Sequence, residues 1–225
     1  MKRFAVYSDA KSAEQAAALF AATGDRLPVL LLDATNANSY PGAGRSWMNV
    51  VGMDGEAQHV ANFETAPGFS EGAIIFDGTT RADIDITDKS IGFHYRDSWT
   101  IEMLLNPAEH QATYAGLFGD HDCLGYTGMV MQQNADTTNE YLFGTGGADG
   151  AWHPAPDDAR PLITLPAGEW SHLVLSSSRE LGTTTFYVNG VAVGSQGFDW
   201  EVAECPDGTR LEATRRRRLA VLASV

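Results

Sequence analysis

Cysteine is nearly missing from this chain: its 225 residues hold two, Cys123 and Cys205. Two thiols cannot build a zinc site by themselves, and one disulfide is the most they can form. Long apolar runs are missing as well. The longest, such as Val29 to Leu32, fall far short of the roughly 20 residues that span a bilayer, so membrane insertion is not expected. The opening Met1-Lys2-Arg3-Phe4-Ala5-Val6-Tyr7-Ser8-Asp9 reaches an acid before any apolar stretch of signal-peptide length. It therefore does not read as a secretory signal, and the expectation is folding in a cytoplasm with both thiols reduced. Positive charge is the third scarcity: 15 Lys and Arg stand against 29 Asp and Glu, a net charge of −14. Such a surface repels a polyanion, which argues against nucleic acid as a partner of the whole chain.

What is present suits one large all-β domain. Hydrophobic residues make up 44% of the chain, enough for a real core. Phe4 and Val6 alternate with polar neighbours in a short strand. Ser12 and Gln15 then form a capping-box pattern, and Ala13, Ala16, Ala17, Leu19 and Phe20 follow at helical spacing. The spacing predicts one helix from about Ala13 to Ala22, stopped by Gly24. Residues 1–26 thus read as an N-terminal strand and helix added to a sandwich over residues 27–225.

From Leu27 onward the rhythm is short apolar runs cut by Gly, Pro, Asn and Asp, as in antiparallel sheets. Ala82, Ile84 and Ile86 face opposite to Asp83 and Asp85; Trp99, Ile101, Met103 and Leu105 form another apolar face. Around Leu173 and Leu175 the strand reads as buried on both sides. Asn189-Gly190, between Phe186-Tyr187-Val188 and Val191-Ala192-Val193, predicts a two-residue type I′ hairpin, since both turn positions need positive φ. Residues 137–161 are rich in Gly, Asp, Ala and Pro and read as rim loops.

Five segments in order carry a resemblance. Leu31-Leu32-Asp33-Ala34 with Tyr40-Pro41-Gly42-Ala43-Gly44-Arg45-Ser46-Trp47 is similar to the opening of laminin-G-like domains of phage and giant-virus proteins. Phe76-Asp77-Gly78, Trp99-Thr100-Ile101-Glu102, Gly168-Glu169-Trp170-Ser171-His172 and Tyr187-Val188-Asn189-Gly190 resemble further motifs of that family. The resemblance implies an antiparallel two-sheet jelly roll of the concanavalin A-like kind, with Trp47, Trp99 and Trp170 in the core. It also exposes a departure: the family's closing strand is missing at the C-terminus, or its place is taken by the N-terminal strand or by another chain.

Candidate chemistry is sparse. Glycosidases of this sandwich class use two carboxylates on one strand; the nearest pair here is Asp83 and Asp85, which also suit a solvated sheet face, and no enzyme is expected. Rim calcium of the kind such domains hold would fall to Asp120 and Asp122, with Asp149, Asp157 and Asp158 as rivals. A saccharide platform would use Tyr126, Trp152, His153 and Trp200, although a loop Trp also pins its loop to the core. Arg215, Arg216, Arg217 and Arg218 cannot all be buried by an apolar strand, so the run is expected at an edge, docked on an acidic neighbour or paired within the chain. Taken with the phage-type resemblance, the expected function is a non-enzymatic virion subunit, a capsid decoration or tail component assembled in a host cytoplasm through protein–protein contacts. The alternative is a glycan-binding adhesin that uses the rim loops.

Overall fold

The computed structural model describes residues 1–7, 11–20, 28–51, 60–78, 80–85, 98–121, 128–135, 137–146, 152–153, 160–197 and 218–221. Among them run β1 (Arg3–Tyr7), α1 (Ala13–Phe20), β2 (Leu30–Asp33), β3 (Ser46–Met48), β4 (Val60–Phe63), β5 (Gly68–Ser70), β6 (Ala73–Ile75), β7 (Ala82–Asp85), β8 (Trp99–Leu105), β9 (Gly116–His121), β10 (Gly128–Asn134), β11 (Thr137–Gly146), β12 (Trp152–His153), β13 (Ile163–Thr164), β14 (Ser171–Ser178), β15 (Thr183–Val188), β16 (Val191–Gly197) and β17 (Arg218–Val221). A six-stranded sheet has the order β16-β15-β14-β8-β1-β2, and a nine-stranded sheet the order β12-β11-β10-β9-β17-β7-β4-β3 with β13 beside β11. Every pairing within them is antiparallel.

The two-residue period puts one set of side chains between the sheets. Trp99, Ile101, Met103 and Leu105 of β8 are buried there with Phe4, Leu173, Leu175 and Phe186. Phe143 of β11 joins the layers: its ring centroid lies 6.1 Å from that of Trp99, 5.9 Å from Phe186 and 6.3 Å from Phe118. Side chains of this size each contribute roughly 1.5–3 kcal/mol when buried, so this seam is a main source of stability.

Local turn chemistry follows the sequence closely. Asn189 and Gly190 adopt φ of 51° and 79°, as a type I′ hairpin demands. Ser12 N–H donates to Gln15 Oε1 at 2.9 Å and Gln15 N–H to Ser12 Oγ at 3.3 Å, so the capping box is formed. Gly42 and Gly44 take φ of 86° and 102°, and Tyr40 OH donates to the Gly44 carbonyl to close that turn.

Two expectations change. β1 is no appendage: it is hydrogen-bonded to β2 on one side and β8 on the other, so the strand expected to precede the sandwich is an inner strand of it. β17 joins β7 and β9, but only its Ala220 and Val221 are in register with β9. Arg218, the first residue of β17, is paired with Asp85 of β7, and the edge expectation for the run rests on Arg215, Arg216 and Arg217, which lie outside the described residues. Trp47 and Trp99 are fully buried as expected, but Trp170 is 40% exposed, because it stands just before β14 begins and outside the seam.

Candidate functional site

The six-stranded sheet has a second face, and it too is covered. Along β8, the residues between the core positions are Thr100, Glu102 and Leu104; the first two are buried and Leu104 is half-buried. Backbone register sets Ala5, Glu102, Val174 and Tyr187 in one row, with Tyr7, Thr100, Ser176 and Thr185 in the next. Ala16 of α1 closes over Ala5, Tyr7, Val174 and Tyr187 in a small apolar cluster of its own. Lys11, just before the helix, is fixed to the same face. Its N–H donates to Ser176 Oγ at 2.6 Å and Thr100 Oγ1 at 3.1 Å, and its carbonyl accepts from Ser176 Oγ at 2.8 Å. The Lys11 ammonium sits 4.7 Å from the centre of the Tyr7 ring.

Glu102 is the chemical centre of this face. Tyr7 OH donates to Oε2 at 2.7 Å, His172 Nε2 lies 3.0 Å from Oε1, and Arg3 Nε lies 3.6 Å from the same oxygen. Burial pushes the carboxyl upward, but the His172 hydrogen bond, the Arg3 charge and the Tyr7 hydroxyl outweigh it and hold it below the ordinary glutamate value. Burial, then the Glu102 charge and hydrogen bond, push the Tyr7 phenol well above its ordinary value. The result is an ionised carboxylate gripped by neutral and cationic donors under a helix.

The sequence-based candidates lie elsewhere. Tyr126, Asp122, Trp200, Arg215, Arg216 and Arg217 fall outside the described residues, as do both cysteines. Asp120 is in β9, and Trp152 and His153 form β12 at the end of the nine-stranded sheet. Register places Asp120, Met129, Thr145 and His153 in one row across four strands. The calcium candidate and the saccharide candidate thus share one end of one sheet, about 14 Å apart at ordinary strand spacing. Asp83 accepts a hydrogen bond from Arg81 Nε, so the carboxylate offered for glycosidase chemistry is already partnered.

The family model for the concanavalin A-like lectin/glucanases superfamily, Laminin_G_3, matches residues 77–211. This chain belongs to that superfamily. Among solved structures, this superfamily member is similar to domain 4 of AbnA, a GH43 extracellular arabinanase from Geobacillus stearothermophilus solved with arabinotriose. There the TM-score is 0.44 at 16% identity, over 80% of this chain and 68% of that one. It is also similar to the crystal structure of HCR/D-Sa-GBL1/C, with a TM-score of 0.50 at 9% identity over 82% of this chain. The chain spans 44% of the latter's length. Identities this low show a shared fold alone. A search of the curated proteins finds no match.

Sequence reasoning missed the Glu102 cluster for a clear reason. Thr100 and Glu102 alternate with apolar residues, which is the pattern of a solvated face. The signal that could have found it was His172 in the Gly-x-Trp-x-His element, a second titratable group two rungs away on a strand otherwise buried on both sides.

Proposed function

We propose that this domain is a non-catalytic recognition module whose ligand is a saccharide. The observation that carries the non-catalytic half is the state of Glu102: one oxygen takes the Tyr7 hydroxyl and the other faces His172 and Arg3. A glycosidase acid or nucleophile must be presented to the sugar beside a second carboxylate; this carboxylate instead ties β1 to β8 and β14. Membership of a lectin and glucanase superfamily supports the saccharide half. The test is an array of plant, microbial and animal glycans, followed by incubation of any hit with the protein and analysis for released sugars. Retention without release is the expected result. Released reducing ends would overturn the non-catalytic reading, and an array blank at high protein concentration would overturn the saccharide.

A second reading is assembly into a phage particle, in host cytoplasm, by protein–protein contact. It is favoured by β16, the last strand of the six-stranded sheet, whose sequence Val191-Ala192-Val193-Gly194-Ser195-Gln196-Gly197 carries no charge and exposes Val191 and Val193. Strand edges are usually defended by charge or proline, and this one is not. Quantitative mass spectrometry of purified particles from the source would find the chain at a fixed ratio to the major shell protein; its absence would sink this reading.

A further inference from the structure

We infer that Trp170 is the stacking platform of a site for an uncharged saccharide ring, at the end of β1, β8 and β14. The inference rests on the saccharide reading above and names where that ligand sits. Five tryptophans occur in the chain. Two in family-like motifs, Trp47 and Trp99, are fully buried, whereas Trp170 leaves 40% of its surface in water. Tryptophan is seldom buried completely, so the exposure alone assigns nothing; what stands around the ring does.

Local structure does not need that exposed surface. The turn before Trp170 is already fixed: Gly168 N–H donates to the Pro107 carbonyl at 2.8 Å, and Ser171 enters the β14 ladder opposite Leu105. What stands near the ring is polar and fit to meet hydroxyls. The Lys2 ammonium lies 4.5 Å from the ring centre, held by the Lys2 N–H bond to the Leu104 carbonyl at 2.9 Å. Next along β1 is Arg3, whose side chain is 31% exposed beside Glu102. A sugar has a face of C–H groups that lies on an aromatic ring and a rim of hydroxyls that needs donors and acceptors. The Lys2 ammonium covers one face of the indole, so the sugar's C–H face would take the rest of the ring's exposed surface, with the ammonium beside it as a donor to the rim hydroxyls.

Charge decides the ligand class. Arg3 is offset by Glu102 at 3.6 Å, and two further acids stand close by: Asp33 in register opposite Arg3, and exposed Glu169 next to the tryptophan in sequence. No excess of positive charge remains to attract a uronate or sulfate, and the chain's net charge of −14 repels an anionic polymer. The site therefore suits a neutral pentose or hexose unit.

Affinity electrophoresis tests this with gels containing arabinan, xylan, mixed-linkage glucan or polygalacturonate. The wild type should be retarded by at least one neutral polymer and not by polygalacturonate. Trp170→Ala should lose tenfold or more in affinity for that polymer, Trp170→Phe and Lys2→Gln should lose less, and Trp152→Ala should bind as wild type. Equal thermal midpoints guard against misfolding, and the Phe and Gln variants keep the test alive if the alanine variant does not fold. Retardation that survives Trp170→Ala, or that Trp152→Ala abolishes instead, overturns the site while leaving a saccharide module. Retardation by polygalacturonate alone overturns the neutral ligand. A wild type that no polymer slows, after a blank array, removes the saccharide reading and this site with it.

Discussion

Replacing Glu102 by Gln removes one charge from a buried face while keeping the side chain's shape. At neutral pH the carboxylate accepts from Tyr7 at 2.7 Å and faces His172 at 3.0 Å and Arg3 at 3.6 Å. Hydrogen bonds to a charged group each contribute about 1.5–3 kcal/mol. The amide retains an acceptor for one partner, so the expected loss is roughly 2 kcal/mol, short of the ~3–5 kcal/mol for stripping a buried pair of one member. The Arg3 contact is long and partly solvated and adds little. In a domain of this size ~1 kcal/mol moves the thermal midpoint by about 2–4 °C, so Glu102→Gln should melt about 4–8 °C lower. Tyr7→Phe should cost a similar amount, and the double variant should fall short of the sum, with a coupling of about 1–2 kcal/mol. A midpoint within about 1 °C of wild type, or strict additivity, would refute the claim that these groups act as one cluster.

The pH dependence gives the same reasoning a sign. Burial opposes ionisation of Glu102, but its three partners win and its folded-state value is depressed. A depressed carboxylate contributes stability that is present above the unfolded value, near pH ~4.3, and is lost as pH falls through the folded value. The stability gap between wild type and Glu102→Gln should therefore be flat from about pH 5 to 8 and close below about pH 4. A gap that widens in acid would mean burial dominates and the carboxyl is protonated in the fold. Tyr7 runs the other way: its value is raised by burial first and Glu102 second. That stability is full below the ordinary phenol value, near pH ~10, and declines as pH climbs past it. Tyr7→Phe should abolish the part of the alkaline decline that belongs to this phenol.

Two other substitutions probe how the sheet is dressed. A Cβ at Gly194 would lie 2.6 Å from Pro161 Cβ, a ring atom that cannot swing aside, whereas one at Gly197 meets nothing within 4 Å. Gly194→Ala should lower stability by about 1–3 kcal/mol in denaturant titration while Gly197→Ala is near neutral, and equal effects would remove the steric account. Ser176→Ala deletes both hydrogen bonds to the Lys11 backbone. Amide exchange of residues 12–16 should speed about tenfold, as expected for a local loss of ~1–2 kcal/mol, with the inner residues of β14 unaffected; unchanged exchange would show that Ala16 packing alone seats the helix.

Much of the architecture was legible because it is local. Asn189-Gly190 names its own turn, Ser12 and Gln15 name their helix start, and alternation along Trp99 to Leu105 names the core face. What was illegible depends on contacts distant in sequence. Nothing near Arg3–Tyr7 says that this strand enters the sheet between β2 and β8, some 25 and 95 residues away. The four arginines argue locally for an edge; of them only Arg218 is among the described residues, at the start of β17 opposite Asp85 of β7, a partner some 130 residues away that no local pattern names. Trp170 misleads. Its motif resembles those of the buried tryptophans, but it comes one residue before the ladder begins, where it stays 40% exposed.

These placements also limit where a ligand can meet the domain. A two-sheet sandwich offers outer sheet faces, edges and rims. On the six-stranded sheet much of the outer face is filled: α1 covers Tyr7, Val174 and Tyr187, Lys11 is bonded across Thr100 and Ser176, and Glu102 is consumed by its own partners. A saccharide could take that central region only by displacing the segment that β1 ties into the sheet, at a cost of several hydrogen bonds and an apolar cluster. Toward Trp170 the face opens: Arg3, Asp33 and Leu104 of the next row are only partly buried, although His172 in that row is buried. On that sheet the saccharide site proposed at the Trp170 end does not compete with these contacts.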